Sequence, residues 1–202
     1  MRRKFKLRLK LLALAAAGIT CSLPAFADSF TAATGNLGTS HTFTVNGTNA
    51  AATGYSSTGV TTNLYFKNFG GNETGLGLAG SSDNEISGTG FVQFGLNNSI
   101  FAGNRVTLIL GSVGAGESYS VYGSNVAGTQ GTLLGSGSSG NTTFTLPTVQ
   151  PYQYVSVSAS KGDVLVQGIQ TAASKSVPEP GTLSLLLTGM LGMIGGAAFW
   201  RR

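Results

Sequence analysis

Apolar and polar residues between Asp28 and Ser176 alternate in short runs instead of recurring every three or four positions. In His41–Val45, Phe43 and Val45 fall on one side of an extended chain, with Thr42 and Thr44 on the other. Val106/Leu108/Leu110 and Val155/Val157/Ala159 repeat the arrangement. A period of two marks a strand with one face buried, as in antiparallel sheets. Further runs of strand character are Val60–Lys67, Phe91–Leu96, Tyr119–Tyr122, Thr143–Leu146, Tyr152–Ala159 and Val164–Ile169. Clusters of Gly, Ser, Asn and Thr lie between them, and Gly135–Asn141 is expected to supply a turn. About eight or nine strands in one body predict an all-β fold, an antiparallel β-sandwich of jelly-roll-like form. The expected body is residues 28–170, with 171–176 as linker. A disordered, glycine-rich stalk is the alternative for Asp28–Gly38 and for the linker Thr171–Ser176, whereas aromatic and β-branched residues in every strand candidate exclude it for residues 40–170.

Both ends break this pattern. Six basic residues in the first ten positions precede the apolar run Leu11–Ile19 and then Ala25-Phe-Ala27. A positive segment, a short apolar segment and an Ala-x-Ala stop make residues 1–27 a secretory signal peptide, cut after Ala27. Lipid attachment at Cys21 is the alternative, but Gly18-Ile-Thr20 lacks the Leu and the small preceding residue such sites use. Cys21 is the chain's only cysteine, so a chain cut after Ala27 has no disulfide, thiolate ligand or thiol nucleophile. At the other end, residues 182–200 are uncharged. As a helix rising about 1.5 Å per residue they just span a hydrocarbon core about 30 Å thick. Pro178 and Pro180 place the helix start after them. Arg201-Arg202 sets the cytoplasmic end, and Gly192/Gly196 provide a small-residue face for a partner helix.

The segment 177–202 resembles the PEP-CTERM sorting signal: Val177-Pro-Glu-Pro180, one apolar helix, then a terminal arginine pair. The resemblance covers about an eighth of the chain, with all three parts in order. It implies a Gram-negative, exopolysaccharide-making cell and an exosortase-type membrane processing enzyme as partner. Pro178, Glu179 and Pro180 are then recognition residues, and the protein is exported to the cell surface or biofilm matrix. The helix anchors it in the membrane before processing. Within the body, Glu73-Thr-Gly-Leu-Gly-Leu78 followed by Asp83-Asn-Glu85-Ile86 is similar to stretches of secreted PEP-CTERM proteins. The segment from Tyr119-Ser-Val-Tyr122 to Gly162-Asp-Val-Leu165 resembles the second half of galactose-binding-like jelly rolls.

The charge distribution narrows the function. Of 202 residues only 19 are charged, and eight of the twelve bases sit in the two terminal segments. Between Asp28 and Ser176 there are four bases and six acids, a balance of −2. A body without a basic face is no nucleic-acid binder. His41, the only histidine, has no triad or metal partners in sequence, and no Gly-x-Ser-x-Gly or βαβ setting surrounds the Ser- and Gly-rich stretches. Glu73, Asp83 and Glu85, with Asn84 among them, are candidate calcium ligands. Hard oxygens gathered in a loop suit that ion, and a solvated acidic loop is the alternative. No other cofactor is expected. Tyr55, Tyr65, Tyr122, Tyr152 and Tyr154 are candidates for stacking on sugar rings, with extracellular polysaccharide as partner. The expectation is a non-enzymatic exported protein, and the alternative is a carbohydrate-binding module.

Overall fold

Alternation carries through into layers. The computed structural model describes residues 26–45, 48–81, 83–95, 104–140, 142–147 and 152–173. Fourteen strands occur among them. The first seven are β1 (Phe26–Ser29), β2 (Gly35–Gly38), β3 (Ser40–Val45), β4 (Thr48–Ser56), β5 (Thr61–Thr62), β6 (Leu64–Asn68) and β7 (Thr74–Leu78). The rest are β8 (Gly90–Gly95), β9 (Asn104–Gly111), β10 (Ser118–Ser124), β11 (Thr132–Ser138), β12 (Thr143–Thr145), β13 (Tyr154–Lys161) and β14 (Leu165–Ala173). The only helical element among the described residues is a 3₁₀ turn, Gly71–Glu73.

The strands form two seven-stranded antiparallel sheets in a sandwich. One runs β12-β9-β14-β7-β6-β2, with β1 also on β14; the other runs β11-β10-β13-β8-β4-β3, with β5 also on β4. Phe43 and Val45, Val106, Leu108 and Leu110, and Val155, Val157 and Ala159 all enter one buried cluster between the sheets, as their alternation predicts. Their neighbours along each strand face outward. Loop 125–131 covers part of the second sheet's outer face, where buried Gln93 accepts from the Gly128 N–H at 3.0 Å and donates to the Thr129 carbonyl at 3.1 Å. Each side-chain amide end finds a partner there, which burial of an amide requires.

Several boundaries differ from the sequence pattern. Gly135–Ser138, expected in a turn, belongs to β11. The reason is packing: a side chain at Gly135 would run into the Phe144 ring and one at Gly137 into Tyr119, so glycine lets these aromatics lie flat against the strand. The weakly patterned 28–38 stretch contributes β2, and Phe30 stacks on Phe43 with ring centroids 4.2 Å apart. β14 runs to Ala173, into the expected linker, with Thr171 buried. β1 straddles Ala27: Phe26 and Ala27 pair with Thr171 and Gln170, and Asp28 and Ser29 with Ile169 and Gly168. The rest of the signal segment and the 177–202 tail, including Pro178, Glu179, Pro180 and the 182–200 helix, lie outside the described residues.

Candidate functional site

The main concentration of charge in the body begins with a glycine–leucine alternation. In β7, Leu76 and Leu78 point into the core, so Gly75 and Gly77 face outward. A Cβ on Gly77 would collide with the Asn84 carbonyl and lie 2.7 Å from Glu85 Cα. Gly77 therefore leaves a shallow floor on which the loop following β7 lies directly against the sheet, while Gly75 leaves room for the Val166 carbonyl of β14. The Ser81 hydroxyl sits 3.0 Å from the Leu78 carbonyl and 2.8 Å from that of Glu85. Ile86 and Val164 exchange backbone bonds at 2.9 Å and close the loop onto the start of β14.

Under this loop, Lys67 of β6 is paired across the ladder with Gly75 and is only 2 % exposed. Its ammonium donates to Glu73 Oε2 at 2.7 Å, to Asp83 Oδ2 at 2.7 Å and to Glu85 Oε1. Glu85 is 1 % exposed, and its Oε2 has no hydrogen-bond partner. The Ser112 hydroxyl donates to Glu73 Oε1 at 3.1 Å. Asn84 and Ser112 are the two described non-glycine residues with left-handed backbone, at φ 56° and 51°. Both border this cluster. The Phe69 ring, 74 % exposed, stands with its centroid 5.5 Å from Lys67 Nζ.

The electrostatics follow from one cation serving three anions. Burial by itself lowers the Lys67 pKa, and the hydrogen bonds to Asp83, Glu73 and Glu85 outweigh it and leave it raised. The Lys67 hydrogen bond holds Glu73 and Asp83 below the ordinary carboxylate range. Glu85 goes the other way, because burial outweighs the Lys67 hydrogen bond. Its raised pKa and its unpartnered oxygen share one cause, the burial of the carboxyl.

The three expected calcium ligands thus meet, with carboxylate oxygens within 4.8 Å of one another. At their focus stands the lysine ammonium. Sequence reasoning overlooked Lys67 and Ser112. The available signal was charge pairing: Lys67 is a lone base in an apolar strand, and the next three charged residues along the chain are all acids. Asn84 accepts from the Gly80 N–H instead of joining the carboxylates.

The remaining candidates scatter. His41, half-buried on β3, sets its ring edge-on to Phe43 at 4.7 Å. Tyr55 is buried and stacked on Phe91 at 5.3 Å. Tyr122 and Tyr154 alternate with core residues and so face outward, half-buried, on the second sheet. Tyr65 is half-buried on β6, and the Tyr152 ring fills the space beside Gly123. Two clefts, of about 220 and 310 Å³, lie respectively between the β4–β5 turn and the β7–β8 loop, and beside Gly71 and Gln167. Ligand pockets commonly hold roughly 300–1,000 Å³, so the first is small and the second marginal. Among the described residues, no helix is long and apolar enough to cross a membrane. No protein-family model, curated protein or solved structure matches the chain.

Proposed function

We propose that this is an exported, non-enzymatic protein of the cell surface or exopolysaccharide matrix, sorted and processed through a C-terminal PEP-CTERM signal by an exosortase-type membrane enzyme. The observation that carries the proposal is the ordered tail: Val177-Pro178-Glu179-Pro180, the uncharged 182–200 segment and Arg201-Arg202. The strand order supports a jelly-roll body. From β7 onward the orders β7-β14-β9-β12 and β8-β13-β10-β11 are those of two interlocked Greek keys, and β2–β6 extend both sheets.

The chemistry of the charged cluster favours a structural role. An ammonium held protonated is neither base nor nucleophile, and two carboxylates held ionised are poor proton donors. Glu85 has the raised pKa of a proton donor but is buried. The acids clasp one cation instead of flanking a cleft, so a glycosidase pair has no room for its sugar. The cluster fastens the β7–β8 loop to the sheet, and no resident cofactor is invoked.

The alternative is a carbohydrate-binding module, and Tyr122 and Tyr154 on one outer face are the observation that favours it. Mass spectrometry of the exported protein tests the leading proposal. The expected C-terminus falls near Pro178-Glu179-Pro180; an intact Arg202 on the surface form would overturn processing. Saturable glycan-array binding abolished by Tyr154→Ala would establish the alternative.

A further inference from the structure

Edge strands expose unpaired backbone N–H and C=O groups, and folded proteins blunt them by shortness, bulges, prolines or charges. The strands at the ends of both sheets, and the two that lie off the main paths, can be compared on that scale. β2 has four residues, a register irregularity between Asn36 and Gly38, and left-handed Gly38. β12 has three residues, and β5 has two. β11 is interrupted by a register shift opposite Val121/Tyr122, and β1 has only four residues. β3 has none of these devices. Its six residues, Ser40–Val45, pair with β4 in six consecutive steps without a shift, and they include no proline, aspartate, glutamate, lysine or arginine. Ser40, Thr42 and Thr44 are exposed, and no described strand lies beyond them.

We propose that β3 is a self-association edge that pairs antiparallel with β3 of a second copy of this chain. The geometry is self-complementary. A two-fold axis normal to the sheet keeps Ser40, Thr42 and Thr44 on the outer face of both copies, and Phe43 and Val45 on the core face. Registers centred on Thr42 or on Phe43 both satisfy this. The meeting strands carry no like charges to repel each other, and Thr–Thr pairs across strands are favourable. Six residues extend about 20 Å, so the contact is narrow and association is driven by concentration. A second copy is the occupant because its edge supplies the missing hydrogen bonds without needing any further surface. The inference stands independently of how the chain is sorted.

The test uses the full chain in detergent with Cys21→Ser, so that an introduced cysteine is the only thiol. Under mild oxidation, Thr42→Cys alone cross-links if the register centres on Thr42. A mixture of Thr42→Cys and Thr44→Cys chains forms the mixed dimer if it centres on Phe43. One of these should exceed Ser136→Cys, an exposed control on bulged β11, by about tenfold in yield. Sedimentation should show a dimer growing with concentration, weakened at least about tenfold by Thr42→Lys with Thr44→Lys at an unchanged melting temperature. Should the lysine pair impair folding, the cysteine comparison still decides. A monomer at every concentration, or equal cross-linking at Ser136, would overturn the proposal.

Discussion

Lys67 converts an acidic patch into a fastening, and removing its charge shows how much depends on it. Lys67→Met leaves three converging carboxylates, one of them Glu85 with an unpartnered buried oxygen. Breaking a buried pair in this way costs about 3–5 kcal/mol. Thermal melts should show the loss at neutral pH. Millimolar calcium should raise the melting temperature of this variant and leave the native protein unmoved, because the native ammonium already holds the focus. A calcium-induced rise in the native protein would restore the metal site to the native fold. The pH dependence has a worked sign. Glu73 and Asp83 have lowered folded pKa values, so their stabilisation is present above about pH 4 and is lost as pH falls through the folded values. Lys67 is raised, so its share is full below about pH 10 and is lost as pH rises beyond that. Glu85 opposes the other acids: its raised pKa makes its contribution decline as pH climbs from about 4.3 towards the folded value. Glu85→Gln imitates the neutral carboxyl. The variant should therefore gain on the native protein between acid and neutral pH in parallel melts, and a constant gap would disprove the assignment. Gly77→Ala attacks the same site from below. Its methyl group meets the Asn84–Glu85 backbone, which has little freedom to retreat, so a loss of about 1–3 kcal/mol is expected in urea unfolding.

At the scale of elements, the N-terminal stretch is the sharpest case. Phe30 is 3 % exposed, stacks on Phe43 and lies 5.8 Å from the Phe94 ring. Phe30→Ala should cost about 3–5 kcal/mol, whereas a mobile stalk would lose almost nothing in the same denaturation experiment. The sequence concealed this because one aromatic among Ala, Thr, Gly and Asn makes no period. Strands with strict alternation, β3, β9 and β13 among them, were legible because each places its apolar side chains on one face. The unrecognised strands β4, β7 and β11 are built on Ala and Gly. Their pattern is set by what packs on them, including Glu85 over Gly77 and Tyr119 against Gly137. Such size complementarity is a tertiary fact. The three acids of the site were legible as a group, but their shared partner lies 6, 16 and 18 residues upstream on a strand, beyond any local motif.

At the scale of the whole molecule, eight of the twelve bases sit in the two terminal segments and the body between them keeps few charges. On the proposed reading, two processing events would define the surface form. A cut after Ala27 removes two of the four paired residues of β1 and leaves Asp28 and Ser29 beside β14. Phe30 then anchors the new terminus in the core, so the body is expected to survive the cut. The second event depends on whether Pro178-Glu179-Pro180 is read or is only a spacer. For a plain anchor, hydrophobic length and the arginine pair suffice, and any residues serve at 178–180. For a sorting signal, an enzyme must grip an extended segment just outside the bilayer. Each proline fixes φ and drives the residue before it away from helix, while Glu179 supplies one recognisable charge. Replacing Pro178, Glu179 and Pro180 with alanine changes neither the 182–200 segment nor Arg201-Arg202, so insertion should proceed as before. Membrane fractionation should then find the variant accumulating uncut, with the released form reduced at least about tenfold, whereas an anchor would give identical fractions for both proteins.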